Sequence, residues 1–269
     1  MDGPSKRHPA DKHDFEFMPI TQLLFDCDNT LVCSEDIAFD VCAGIINDLL
    51  SKKSLATSAT KYTGRSLQSK FVGQNFAGML RQMEGIYKFT LSPEEREGLI
   101  HQEVTMITKE LGERAKPCEG ANEVLKDLKE SGLYEFAVVS SSAGPRVLAA
   151  LRKAGQMEFF DEKTIFSAMT SLPIPTSKPD PAIYKFACRK LGKDPRECIA
   201  VEDSVSGVKS AVAAGIKTIG YLGAYEVHER EAKGVELEKH GVVFCIEDWK
   251  ELGRAIKTAG GVPVVTNGF

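Results

Sequence analysis

From Pro117 onward the chain alternates short apolar runs with helix-like segments, and this alternation limits what it can fold into more than any other feature. The runs cover residues 135–140, 164–167, 198–202, 217–222 and 242–246, each of a length suited to a buried strand. The segments between them are punctuated as helices. Gly144-Pro145 opens one that closes on Gly155 and spaces Val147, Leu148 and Leu151 along one face. Asp180-Pro181 opens another that closes on Gly192 and carries Ile183, Phe186 and Leu191. Such alternation implies a parallel sheet with helices on both faces. A sixth run, residues 20–25, lies far upstream and stops abruptly at Asp26, as a buried parallel strand does.

Residues 34–116 have helical spacing throughout. Ile37, Val41, Ile45 and Leu49 fall on one face, and Val104, Ile107 and Leu111 on another. Ser92-Pro93-Glu94-Glu95 supplies an N-cap serine, proline at the first helical position and glutamate at the capping-box position. Gly112 offers a stop for that helix, and Phe71, Phe76, Met79 and Met83 read as core. The expected architecture is α/β: a Rossmann-like doubly wound parallel sheet over residues 18–33 and 117–269, interrupted after its first strand by an all-helical domain over 34–116. Residues 1–17 are polar with mixed charge and are expected to be a mobile tail.

Composition narrows the chemistry. The net charge is −4 and the basic residues are dispersed, which leaves no basic field for nucleic acid. No run approaches the roughly 20 apolar residues that cross a bilayer, and the N-terminus lacks an apolar signal core. A cytoplasmic protein without a membrane partner is expected. The seven cysteines are scattered without a C-x-x-C pair and read as reduced thiols in or near the core. Five histidines, two of them in the tail, support neither a zinc cluster nor a histidine-based triad. The chemistry is therefore sought among carboxylates.

In a doubly wound sheet, ligands bind beyond the carboxyl ends of the strands. The residues there are Asp26-Cys27-Asp28-Asn29-Thr30 after the first strand, Ser140-Ser141-Ser142 after the second and Glu202-Asp203-Ser204 after the fourth, with Lys178 in the proline-bounded loop Thr176-Ser177-Lys178-Pro179-Asp180. Acids, hydroxyls and a lysine on one edge make a site for Mg²⁺ and phosphate, because hard oxygen ligands suit Mg²⁺ and the ammonium suits a phosphoryl oxygen. A carboxylate can attack phosphorus to give an acyl phosphate, splitting one hard displacement into two easier ones. A second carboxylate can protonate the leaving oxygen and later deprotonate water. Strand periodicity puts Asp26 and Asp28 on the same side.

The phrase LLFDCDNTLV, the serine in AVVSSS, the lysine in TSKPDP and the acidic pair in AVEDSVSGV resemble, in order, the four signature motifs of the haloacid dehalogenase superfamily. The resemblance implies that Asp26 is nucleophile and metal ligand, and that Asp28 is acid/base with its carbonyl on Mg²⁺. Ser140 and Lys178 would clamp the phosphoryl oxygens, with Thr30 and Ser141 beside the substrate. Asp203 would be a metal ligand, and Glu202 a ligand or a support to one. A helical domain after strand one resembles the cap that shuts over the site in this superfamily, and its loop Tyr62-Thr63-Gly64-Arg65 would bring Arg65 to the leaving group. The implied activity is Mg²⁺-dependent hydrolysis of a small phosphorylated metabolite: a sugar, polyol or glycolate phosphate.

Three rivals have distinguishing features. Haloacid dehalogenation needs no acid for the leaving group, and Asp28 speaks against it. A sugar phosphomutase of the β-phosphoglucomutase kind shares core and cap, but Ala38 stands where those enzymes carry a cap histidine. A non-catalytic phosphate-binding or scaffold protein is opposed by the intact acid pair.

Overall fold

The computed structural model describes residues 18–56, 61–71 and 74–260; the tail expected over 1–17 lies outside them. The first strand, β1 (Gln22–Phe25), is buried along its length. A tight turn follows. Leu31 and Val32 N–H groups both donate to the Cys27 carbonyl, and Asn29 takes a left-handed φ of +57°, a conformation asparagine tolerates better than most side chains. The turn leads into β2 (Val32–Cys33), which pairs antiparallel with β3 (Lys116–Pro117). All four helices between them are α: α1 (Glu35–Lys52), α2 (Gly64–Lys70), α3 (Phe76–Tyr87) and α4 (Pro93–Arg114), with no strand among the described residues of that stretch. The β2–β3 ribbon thus carries the chain out of the sheet layer and back.

The return path runs through α5 (Ala121–Glu130), β4 (Glu135–Ser140), α6 (Gly144–Lys153), β5 (Ile165–Ser167), α7 (Ala182–Leu191), β6 (Cys198–Glu202), α8 (Val205–Ala213), β7 (Lys217–Tyr221), α9 (Val227–Glu238), β8 (Phe244–Ile246) and α10 (Leu252–Ala259). Six strands form one parallel sheet in the order β5-β4-β1-β6-β7-β8. The expected fold class is the one found. Register sets the site: Phe25 lies level with Val138 of β4 and Val201 of β6. Asp26, Ser140 and Glu202 therefore emerge together at the carboxyl edge, where the sheet order reverses around β1.

Expected and observed elements differ in a few places, each with a local cause. α4 starts on the predicted capping box at Ser92 but runs through Gly112 to Arg114. Gly112 is not a stop: it lies inside the helix, and a Cβ there would meet the Ala149 Cβ of α6 at an ordinary contact distance of 3.8 Å. Val104, one turn before Ile107, stays 37% exposed, and the buried stripe is shorter than the spacing implies. Residues 64–65 are helix and not loop, because Thr63 and Ser66 form a reciprocal capping box at the start of α2. Cys33 is exposed, since a two-residue strand must present alternate side chains to opposite faces and Val32 takes the inner one.

Trp249, fully buried, closes the core under the site. Its ring packs on Phe25 at 5.8 Å and on Tyr221 at 5.7 Å, and Phe25 also meets Phe136 edge-on at 5.5 Å. Truncation would leave a cavity directly beneath β1. Trp249→Ala is expected to cost about 3–5 kcal/mol, read as a lower urea midpoint in far-ultraviolet circular dichroism; a loss under about 1 kcal/mol would mean the indole is not a keystone.

Candidate active site

Asp26 is the first residue past β1 and is buried. Its Oδ1 accepts from Lys178 Nζ at 2.5 Å. The same ammonium donates to Glu202 Oε1 at 2.6 Å and to the Val139 carbonyl at 2.7 Å, so all three of its protons are used. Lys178 reaches this point because its backbone N–H donates to Ser141 Oγ at 3.0 Å, pinning its loop to the end of β4. Glu202, fully buried, also accepts from the Tyr184 hydroxyl at 2.5 Å. Its other oxygen, Oε2, is buried without a hydrogen-bond partner and faces Gly207, where an added Cβ would fall only 1.7 Å from that oxygen. Asp203 lies beside the cluster, its Oδ1 3.4 Å from Thr30 Oγ1 and its carbonyl accepting from the Tyr225 hydroxyl at 3.0 Å.

Asp28 is held separately. Its Oδ2 accepts from Ser142 Oγ at 2.6 Å, and its Oδ1 accepts from Arg146 at 3.0 Å and from the Ser34 hydroxyl. Burial alone would raise its pKa, but the Arg146 guanidinium and the two hydroxyls outweigh burial and hold the carboxyl below its ordinary range. Ser140, buried, accepts from the Ser142 N–H at 3.0 Å, which orders the serine turn that delivers Ser142 to Asp28. Asn29 reaches from the same loop to Glu35 of α1, donating at 2.6 Å.

Of the residues singled out in the sequence, Asp26, Asp28, Thr30, Ser140, Ser141, Lys178, Glu202 and Asp203 meet at one edge. Arg65 does not join them: its guanidinium lies 3.5 Å from Glu226, with the side chain 85% exposed. Four partners went unread in the sequence: Ser34, Ser142, Arg146 and Tyr184. Ser142 was visible as a member of the serine run, and Arg146 as a charge in the first turn of a proline-started helix, but neither spacing says which acid it meets.

A profile of haloacid dehalogenase-like hydrolases matches residues 20–215. The chain belongs to that family. Hexitol phosphatase B of Escherichia coli strain K12 is 29% identical over 206 residues, covering 74% of this chain and 82% of its own. A CBBY-like protein of Arabidopsis thaliana is 28% identical over 232 residues, covering 84% of this chain and 69% of its own. Among solved structures, a HAD family hydrolase from Deinococcus radiodurans with bound phosphate and sodium superposes with a TM-score of 0.65 at 28% identity, covering 90% of this chain and 97% of that one.

In this hydrolase, one carboxylate oxygen from each of Asp26, Glu202 and Asp203 lies within 4.8 Å of the others. Three buried acids against one lysine leave an excess of negative charge in a region of low dielectric, which is costly without a cation. The pKa pattern expresses that cost. Burial raises the Asp26 carboxyl to about 7, with Lys178 opposing and Glu202 and Asp28 adding to the rise. Burial, then Asp26 and Glu202, push Asp203 well above its ordinary range. An all-oxygen donor set with an unpartnered buried Glu202 oxygen fits a hard divalent cation.

The sign of the pH effect follows. Because the folded state binds the Asp26 proton more tightly than the unfolded chain does, stability falls as pH rises from about 4 toward 7, and Asp203 acts in the same direction. Asp28 acts oppositely, but its stabilisation is complete above the ordinary carboxylate range and is lost only below it. Chelator-treated hydrolase is expected to lose roughly 5 °C of Tm between pH 5 and 7.5, with a flatter curve in Asp26→Asn. A metal-free Tm that rises over this interval would contradict the charge assignment.

Proposed function

We propose that this hydrolase is a Mg²⁺-dependent phosphatase acting on a small phosphorylated metabolite through an aspartyl-phosphate on Asp26. The observation that supports the reading is the division of labour between two carboxylates. Asp26 is tied to Lys178 and lies beside Glu202 and Asp203, whereas Asp28, two residues on, is held apart by Arg146 and two hydroxyls. One acid is thus placed for attack and the other for proton transfer, as two-step phosphoryl transfer demands.

In this reading Lys178 holds Asp26 Oδ1 and leaves the other oxygen to attack phosphorus. Lys178 takes a phosphoryl oxygen by exchanging one of its three hydrogen bonds for it, and Ser140 takes another as the leaving group departs. Asp28 is an ionised carboxylate while Arg146, Ser34 and Ser142 all donate to it, so it must first take up a proton. It then gives that proton to the leaving oxygen and takes one from the water that opens the acyl phosphate and frees Asp26. For this step at least one of the hydrogen bonds from Ser34, Ser142 and Arg146 must be exchanged for the leaving oxygen. Thr30 and Ser141 border the phosphoryl position. Asp26, Asp203 and Glu202, with the Asp28 carbonyl, would hold Mg²⁺, which when bound offsets the negative charge between nucleophile and phosphate. Helices α1–α4 serve as a cap that excludes bulk water from the acyl phosphate.

A polyol, sugar or glycolate phosphate is the substrate class, consistent with a hexitol phosphatase among the relatives. The test is phosphate release from a panel of such esters in Mg²⁺ and in EDTA. Mg²⁺-dependent release that drops at least about 1,000-fold in Asp26→Asn, with unchanged circular dichroism, is the expected result. Silence on every ester would favour the mutase or phosphate-binding alternatives. Asp28→Asn is expected to slow both formation and breakdown of the acyl phosphate by about 100- to 10,000-fold, and normal rates of both in rapid-quench measurements would remove Asp28 from the acid/base role.

A further inference from the structure

The β2–β3 ribbon carries a pair of thiols. Cys33 Sγ lies 3.7 Å from Cys118 Sγ, with Cys33 on the outgoing strand and Cys118 directly after the returning one. Both are free. Their surroundings differ in the way that thiol–disulfide exchange requires, one sulfur reachable from solution and the other buried behind it. Cys33 is exposed and lines a cavity of about 620 Å³ together with Asn29, Glu35, Arg114, Lys116 and Lys153. The hydrogen bond it shares with Cys118, opposed by burial and Asp36 and aided by Lys116, lowers the Cys33 thiol to about 7, in the range where the thiolate is abundant at neutral pH. A second close pair, Cys188 and Cys198 at 3.9 Å, is buried on both sides and offers no sulfur to a reagent.

The position of the pair gives it a consequence. Residues 33 and 118 bracket all four helices α1–α4, so a bond between them would close that whole stretch into a loop at its neck. Cys33 also immediately precedes Ser34, whose hydroxyl donates to Asp28. Restraining Cys33 therefore restrains a partner of the proposed acid/base.

We propose that Cys33 and Cys118 are a reversible modification site at which exchange with a small-molecule disulfide closes a cross-ribbon bond and slows turnover. The Cys33 thiolate attacks one sulfur of the small disulfide, forming a mixed disulfide and releasing one thiol. Cys118, giving up its proton, then attacks Cys33 Sγ and displaces the second thiol. Two protein thiols are oxidised, one small disulfide is reduced to two thiols, and the two protein protons end on the released thiols.

Glutathione disulfide is the probe. The full chain is equilibrated in glutathione buffers of graded oxidised fraction, alkylated, and mapped by non-reducing peptide mass spectrometry, with ester hydrolysis measured on the same samples. The expected result is a Cys33–Cys118 disulfide, a turnover loss of about tenfold or more as the Ser34–Asp28 geometry is fixed, and recovery in dithiothreitol. Cys33→Ser is expected to keep basal turnover and abolish both the bond and the loss; Cys118→Ser should stop at the mixed disulfide. A disulfide formed only elsewhere, or a Cys33–Cys118 bond that leaves turnover unchanged, overturns the proposal. The peptide map needs no substrate, so a failure of the phosphatase reading would appear as absent hydrolysis in reduced protein and not as an absent bond.

Discussion

A single buried ammonium organises the carboxyl edge of the sheet. Lys178 spends its three protons on Asp26, Glu202 and the end of β4, and in doing so ties three neighbouring strands to one point. Desolvating that cation is tolerable only because two carboxylates surround it, and their excess charge in turn is tolerable only if further positive charge arrives. The strand register makes the arrangement available; the lysine and the acids give it a use. Without the parallel alignment of β1 between β4 and β6, the same residues would be a scatter of surface charges.

Much of this was legible in the sequence because strands announce their ends. The runs over 135–140 and 198–202 coincide with β4 and β6 residue for residue, since a buried parallel strand has an apolar interior and the polar residue that ends the apolar stretch marks the exit. That is why Asp26, Ser140, Glu202 and Asp203 are legible as one edge from the sequence alone. Lys178 was legible through the prolines around it.

What stayed hidden depends on distance in space without a pattern in sequence. Arg146 occupies the first turn of α6, a place where charged residues are common and usually solvated, and nothing local says that it folds back 118 residues to Asp28. Ser34 and Tyr184 are similar: one opens a helix, the other sits on a helix face, and each acts through a hydroxyl whose aim only the packing decides. Gly112 misled for the opposite reason. Glycine marks helix ends when its backbone freedom is used, and here it is not: α4 continues through Gly112 to Arg114.

At Gly207 the missing side chain is what matters. Nothing larger than hydrogen fits between the first turn of α8 and Glu202 Oε2, so the helix forms a hard wall behind that carboxylate. Glu202 is also gripped in front by Lys178 and Tyr184. It is fixed on both sides, and any side chain at position 207 would have to push it out of the cluster. The bareness of one glycine, remote from any chemistry of its own, thus decides where the deepest acid of the cluster can stand.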